Sequence, residues 1–117
     1  MKKIILIAVI FMFSCQRSDI ENVTISGIVK NEKTNEPLEG VEVILICWKY
    51  GNSPDQSYSE DEKVTVKTNS KGKYSHKFNK GAYIEVKVSI PDFKEYHEAK
   101  DVYSKKNVFN ISLNPLN

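Results

Sequence analysis

Arginine and tryptophan each occur once in the 117-residue chain, as Arg17 and Trp48, and cysteine and histidine occur only twice each. His76 and His97 lie far apart, and with Cys15 and Cys47 they form neither a His-Glu-x-x-His pair nor the paired-cysteine spacing of a zinc site. No metal is therefore expected. The five glycines are scattered singly, which excludes a glycine-rich phosphate loop. No Gly-x-Ser-x-Gly elbow frames a nucleophilic serine. A non-catalytic chain without a cofactor is the expectation. No apolar run reaches the roughly 20 residues that a membrane-spanning helix needs.

The one long apolar run stands at the start. Lys2 and Lys3 precede "IILIAVIFMF" (Ile4–Phe13), which ends at the small Ser14; this is the build of a secretory signal peptide. An amphipathic or core helix is the plainer alternative, but ten consecutive apolar residues leave it no polar face. "MFSC" resembles the lipobox of bacterial lipoproteins, with Ser14 in the small position before the cysteine. Met12 stands where leucine is usual, and Phe13 is bulkier than the usual neighbour. The resemblance implies that residues 1–14 are removed and that Cys15 becomes the acylated first residue of a membrane-tethered envelope protein. Gln16 after the cysteine implies the outer membrane, with periplasmic and surface orientations both open. Each buried methylene contributes about 0.8 kcal/mol, so more than one chain makes such an anchor effectively permanent. A plain signal peptide cut near Ser14, leaving Cys15 free, is the alternative.

Loss of Lys2 and Lys3 leaves fifteen basic against fifteen acidic residues. That balance gives no reason to expect a nucleic-acid partner. With Cys15 acylated, Cys47 has no disulfide partner. Its place inside "VEVILICWKY" makes it a buried, inert small hydrophobe.

Residues 15–22 read as a polar tether and residues 23–117 as one domain, long enough for a single small core. The domain shows no helical period. Strand-length runs with period-two alternation are separated by turn residues instead. "VTISGIVK" (Val23–Lys30) turns Val23, Ile25 and Val29 to one face. "VEVILICWKY" (Val41–Tyr50) is apolar on both faces, which predicts a central strand covered on both sides. "KVTVKT" turns Val64 and Val66 inward, and "NSKG" leads into "KYSHKFN", with Tyr74, His76 and Phe78 inward. "AYIEVKVSI" buries Ile84, Val86, Val88 and Ile90; after a turn at "PDFKEY", "NVFNISL" buries Phe109, Ile111 and Leu113. The fold class is all-β, an antiparallel or mixed β-sandwich of about seven strands.

"ISGIVKNEKTNEPLEGVEVIL", then "TVKTNSKGKYSHKF" and "IEVKVSIPDFKEY", resemble the carboxypeptidase regulatory-like domain across about residues 23–114. The resemblance implies a transthyretin-like (prealbumin-like) sandwich, with "TNSKGKY" at a hairpin. "PDF" departs from the family's usual Pro-Gly-aromatic at Asp92. The matching residues are turn and core positions, so they speak to fold. The hydroxyisourate hydrolase on the same fold ends in Tyr-Arg-Gly-Ser, whereas this chain ends "ISLNPLN" and holds only Arg17.

Binding is the function expected of such a module, toward an envelope protein or a glycan. A structural docking or spacer accessory of an outer-membrane complex is the alternative. The loop Gly51–Glu62 is the longest in the domain, and loops on a rigid sandwich are where recognition resides. Tyr50 and Tyr58 are its candidate binding residues, since aromatics beside polar groups suit sugars or protein partners. Trp48 is expected to pack on its own strand. "SEDE" (Ser59–Glu62), with Asp55, lacks the alternating spacing of a calcium loop and reads as a solvated acidic loop. His76 is expected as a hydrogen-bonded core or rim residue and His97 as solvated. Lys63, Lys67, Lys73 and Lys77 face outward, either to meet an anionic partner or to discourage edge pairing.

Overall fold

In the computed structural model, which describes residues 18–50 and 60–116, eight strands form two stacked sheets and there is no helix among the described residues. The strands are β1 (Ile20–Asn31), β2 (Glu42–Lys49), β3 (Glu60–Lys67), β4 (Lys73–Gly81), β5 (Tyr83–Val88), β6 (Tyr96–Asp101), β7 (Lys106–Val108) and β8 (Ile111–Leu113). In the first sheet β1 is central, antiparallel to β4 on one side and parallel to β7 and then β8 on the other. The second sheet runs β3-β2-β5-β6, antiparallel throughout. The mixed β-sandwich expected from the alternation is what the chain forms.

The core lies between the sheets and is built from the alternating residues. Val23, Ile25 and Val29 meet Val43, Leu45, Cys47, Ile84, Val86 and Val88, closed by Tyr74, Phe78, Phe109, Ile111 and Leu113, all buried. Val64, Val66, Leu38 and Ile90 pack against this cluster half-buried. β2 is central, as its sequence predicts, but only its Val43, Leu45 and Cys47 face is fully covered. Ile44, Ile46 and Trp48 lie on the outer side of a two-layer domain and are half-buried beneath neighbouring side chains alone.

Several elements differ from the sequence reading, three of them at strand ends and connections. β1 begins at Ile20, inside the segment read as tether, and Asp19 just before it accepts a hydrogen bond from the Tyr50 backbone N–H at 2.8 Å. Of the acidic "SEDE" stretch, Ser59 lies outside the described residues, and Glu60, Asp61 and Glu62 open β3. Pairing with Lys49, Trp48 and Cys47 on β2 draws them into a ladder, and strand alternation then divides them between two faces. The third difference is the "TNSKGKY" segment. It is not a hairpin, because β3 and β4 belong to different sheets. Thr68 bonds back to Gly40 and Val41 at the second sheet, while the Gly72 carbonyl accepts from Val29 N–H in the first. The connection is therefore an arch that carries the chain from one layer to the other.

The turn at Asp92 adopts φ 72°, the left-handed conformation that glycine favours and aspartate tolerates. The departure from Pro-Gly-aromatic thus keeps the turn's backbone while changing its residue.

Candidate functional site

Register fixes what each outer face presents. Across the first sheet, Lys77, Thr24 and Lys106 form one row, Ser75, Ser26 and Val108 the next, then Lys73 with Ile28, and Lys30 with Ser112. Four lysines stand on these rows with no carboxylate among them. The arch adds a fifth lysine: Lys67, at the end of β3, and Lys73, at the start of β4, both line an open groove of about 500 Å³.

The groove's chemistry follows from which atoms are already engaged. Asn69 Oδ1 accepts from the backbone N–H groups of Lys71 and Lys73, both at 2.9 Å, and Asn110 Oδ1 accepts from Ile28 N–H at 3.1 Å. A backbone N–H can only donate, so each amide oxygen is committed inward and each amide nitrogen is left as a donor. Neither nitrogen has a hydrogen-bond partner, and neither Lys67 nor Lys73 has an ion-pair partner, among the described residues. Ser26 and Ser75 supply hydroxyls, and Ile28 with the 55% exposed Val108 supplies an apolar strip. Among the described residues no aspartate or glutamate lines the groove.

Its floor is rigid. Gly27 lets the Phe109 backbone lie against β1, where the buried Tyr74 hydroxyl donates to Phe109 O at 2.6 Å. Burial raises the Tyr74 pKa well above the usual tyrosine value, so the hydroxyl stays a donor.

The second sheet's outer face is different, because its polar groups satisfy one another. Trp48 Nε1–H donates to Glu85 Oε2 at 2.6 Å, and His97 Nε2 lies 3.1 Å from Glu85 Oε1. Ser89 Oγ donates to Glu95, and on the core-side face of β6, opposite Val88 and Val86, the Tyr96 hydroxyl donates to Glu98. The Trp48 hydrogen bond holds the Glu85 carboxyl below the usual glutamate range, with His97 and Lys87 assisting against partial burial. A depressed carboxylate contributes stability that is present above its unfolded pKa, about 4.3, and is lost as pH falls through the lower folded value. Fluorescence of the single Trp48 is therefore expected to show an acid transition with its midpoint below 4.3. Glu85→Gln is expected to remove that transition. A transition unchanged in the variant contradicts the assignment.

The residues singled out from sequence are placed as follows. Tyr50 is only 9% exposed, so it offers a ligand little surface; it closes the end of β2 beside Asp19. Tyr58 and Cys15 lie outside the described residues, as does Asp55. His76 is half-buried and makes an edge-on ring contact with Phe78, 4.6 Å between centroids, and among the described residues it has no side-chain hydrogen bond of the kind expected. His97 is on β6, more than half exposed and paired with Glu85. Trp48 packs on its strand, as expected. Cys47 is buried, and burial pushes its thiol up to about 11, far from reactive at neutral pH. Among the described residues no three His, Cys, Asp or Glu side chains are grouped to hold a metal. Asn69 and Asn110 were not legible as site residues; in the sequence they are turn asparagines.

No protein-family model matches the chain, and no curated protein matches it. Solved structures do. A point mutant of catechol 1,2-dioxygenase from Acinetobacter radioresistens aligns at TM-score 0.60 with 15% identity, covering 82% of this chain and 52% of that one. 3-Chlorocatechol 1,2-dioxygenase from Rhodococcus opacus 1CP aligns at 0.60 with 8% identity, covering 88% and 62%. The shaft pilin SpaA of Lactobacillus rhamnosus GG aligns at 0.54 with 12% identity, covering 84% and 49%. The chain spans about half the length of these proteins, and at such identities the likeness is one of β-sandwich fold.

Proposed function

We propose that the chain is a lipid-anchored, non-catalytic module of a bacterial envelope, a carboxypeptidase regulatory-like domain that binds a protein or glycan in the Lys67–Lys73 groove. The observation that carries this reading is the groove's set of uncommitted donors. Folded surfaces pair or solvate such groups singly; four lining one concave site, with no carboxylate among the described lining residues, form a recognition surface. A spacer or docking accessory has no need of them. The β-sandwich shared with shaft pilins suits a module that acts by contact.

Position supports the same reading. β1 starts at Ile20, so at most four residue steps, about 14 Å, separate Cys15 from the anchored start of the fold at Asp19. The groove lies at the other end of β1, near Ile28, about 26 Å farther along the strand. A tether at Cys15 leaves that pole free to meet a ligand.

Counting thiols tests the anchor. Cys47 is buried and inert, so native chain acylated at Cys15 is expected to show no thiol reactive with a chromogenic disulfide, and one after denaturation. Wild-type chain is expected in the membrane fraction and Cys15→Ala chain in the soluble one. One reactive thiol in the native chain, or unchanged fractionation of Cys15→Ala, contradicts lipid attachment.

A further inference from the structure

We infer that the ligand of the Lys67–Lys73 groove is an anionic saccharide, an assignment that rests on the groove being the recognition site. The described side chains that line it offer more donors than acceptors and no carboxylate: two ammonium groups, the Nδ2 amides of Asn69 and Asn110, and two hydroxyls that can donate or accept. A peptide brings as many backbone N–H donors as carbonyl acceptors, and its donors find no carboxylate here. An acidic sugar brings an excess of acceptors, with ring and hydroxyl oxygens beside a carboxylate or sulfate. Its anionic group suits the paired Lys67 and Lys73, where charge-assisted hydrogen bonds are the stronger ones. Its hydroxyls suit the two amides and serines, and the C–H face of its ring suits the strip of Ile28 and Val108.

Two features separate this from a bare anion or a lipid headgroup. Lys67 and Lys73 line a concavity of about 500 Å³, large enough for a saccharide unit or more, whereas a lone phosphate would leave the amide and apolar walls unused. The groove also lies at the pole of β1 away from the Cys15 end, and so away from the membrane to which that end would be held.

Titration calorimetry of the purified full chain with an oligogalacturonate, its neutral carboxyl-reduced counterpart, an oligosaccharide sulfate and glycerol phosphate tests the assignment. The oligogalacturonate or the sulfated sugar is expected to bind, the stronger of them naming the anionic group. The neutral sugar and glycerol phosphate are expected to bind about tenfold more weakly or less, the loss of one charge-assisted contact. Asn110→Asp keeps the oxygen that accepts from Ile28 N–H and replaces the groove-facing donor with negative charge. It is expected to weaken binding about tenfold or more at unchanged Tm, and Lys73→Gln by about five- to tenfold. Should Asn110→Asp fail to fold, exposed Lys67→Gln carries the same expectation.

Equal binding of the neutral sugar, still abolished in the Lys67→Gln and Asn110→Asp chains, overturns the charge assignment and leaves the groove as the recognition site. Glycerol phosphate binding as tightly as the acidic sugar overturns the saccharide assignment. Binding that both variants leave untouched, or no binding of any acidic sugar, overturns the proposal outright.

Discussion

Gly27→Ala is expected to destabilise the domain by about 3–5 kcal/mol and lower Tm by roughly 15 °C or more. An added Cβ would sit 2.7 Å from the Phe109 carbonyl carbon, closer still to its oxygen, and 3.0 Å from the Tyr74 hydroxyl. Backbone cannot step aside as a flexible side chain does, because Phe109 is held on both sides: its N–H donates to Ser26 O at 2.8 Å and its carbonyl accepts from Tyr74. Gly40→Ala is the control. Its φ of 74° strains any other residue, yet nothing lies within 4 Å of the added carbon, so the cost is expected at about 1–2 kcal/mol. Thermal unfolding of the two variants side by side separates crowding from backbone strain. If the two are equally stable, close approach at Gly27 is not what limits the site.

The second large effect is expected in the core. Phe78 is 1% exposed and is among the largest side chains fully enclosed between the sheets. Phe78→Ala removes most of that volume and is expected to cost about 3–5 kcal/mol in denaturant unfolding, from lost transfer energy together with the cavity. The His76 ring loses its edge contact at the same time. Phe78→Leu, which keeps most of the volume, is expected to cost far less. A loss below about 1.5 kcal/mol for the alanine variant would mean that the neighbouring strands collapse into the gap.

These two residues also mark what the sequence makes legible. Period-two alternation placed Val23, Ile25, Val29, Ile84, Val86, Val88, Phe109, Ile111 and Leu113 inward, and all are buried. Alternation works there because one face of each strand must be dry. It fails where a strand has no dry face to announce it: β6 ("YHEAKD") pairs only with β5 at the sheet edge, its side chains are half-buried at most, and it reads as loop. "NVFNISL" reads as one strand because its apolar alternation never breaks, yet the ladder does. β7 pairs beside Thr24–Ser26, β8 beside Val29–Asn31, and Phe109 bridges them against Gly27.

The site was legible only in fragments. The outward lysines follow from alternation, and the arch follows from nothing local, since "TNSKGKY" carries the same turn residues a hairpin would. Only the assignment of β3 and β4 to different layers lets Lys67 of the second sheet line a groove with Ser26, Ile28 and Val108 of the first. Asn69 and Asn110 acquire their donor role through backbone contacts that close with the fold, one of them across 82 residues of sequence. Tyr50 shows the reverse: an aromatic beside a polar loop looks available in sequence and is buried in the structure, its backbone N–H held by Asp19.

The measurement that bears most directly on the groove as the seat of recognition is amide chemical-shift mapping during titration with an oligogalacturonate. The largest changes are expected at Ile28, Ser75 and Val108 and at the side-chain amides of Asn69 and Asn110, which line the groove. Changes centred instead on Trp48, Glu85 and His97, or on the Tyr50 end of the sandwich, would contradict it.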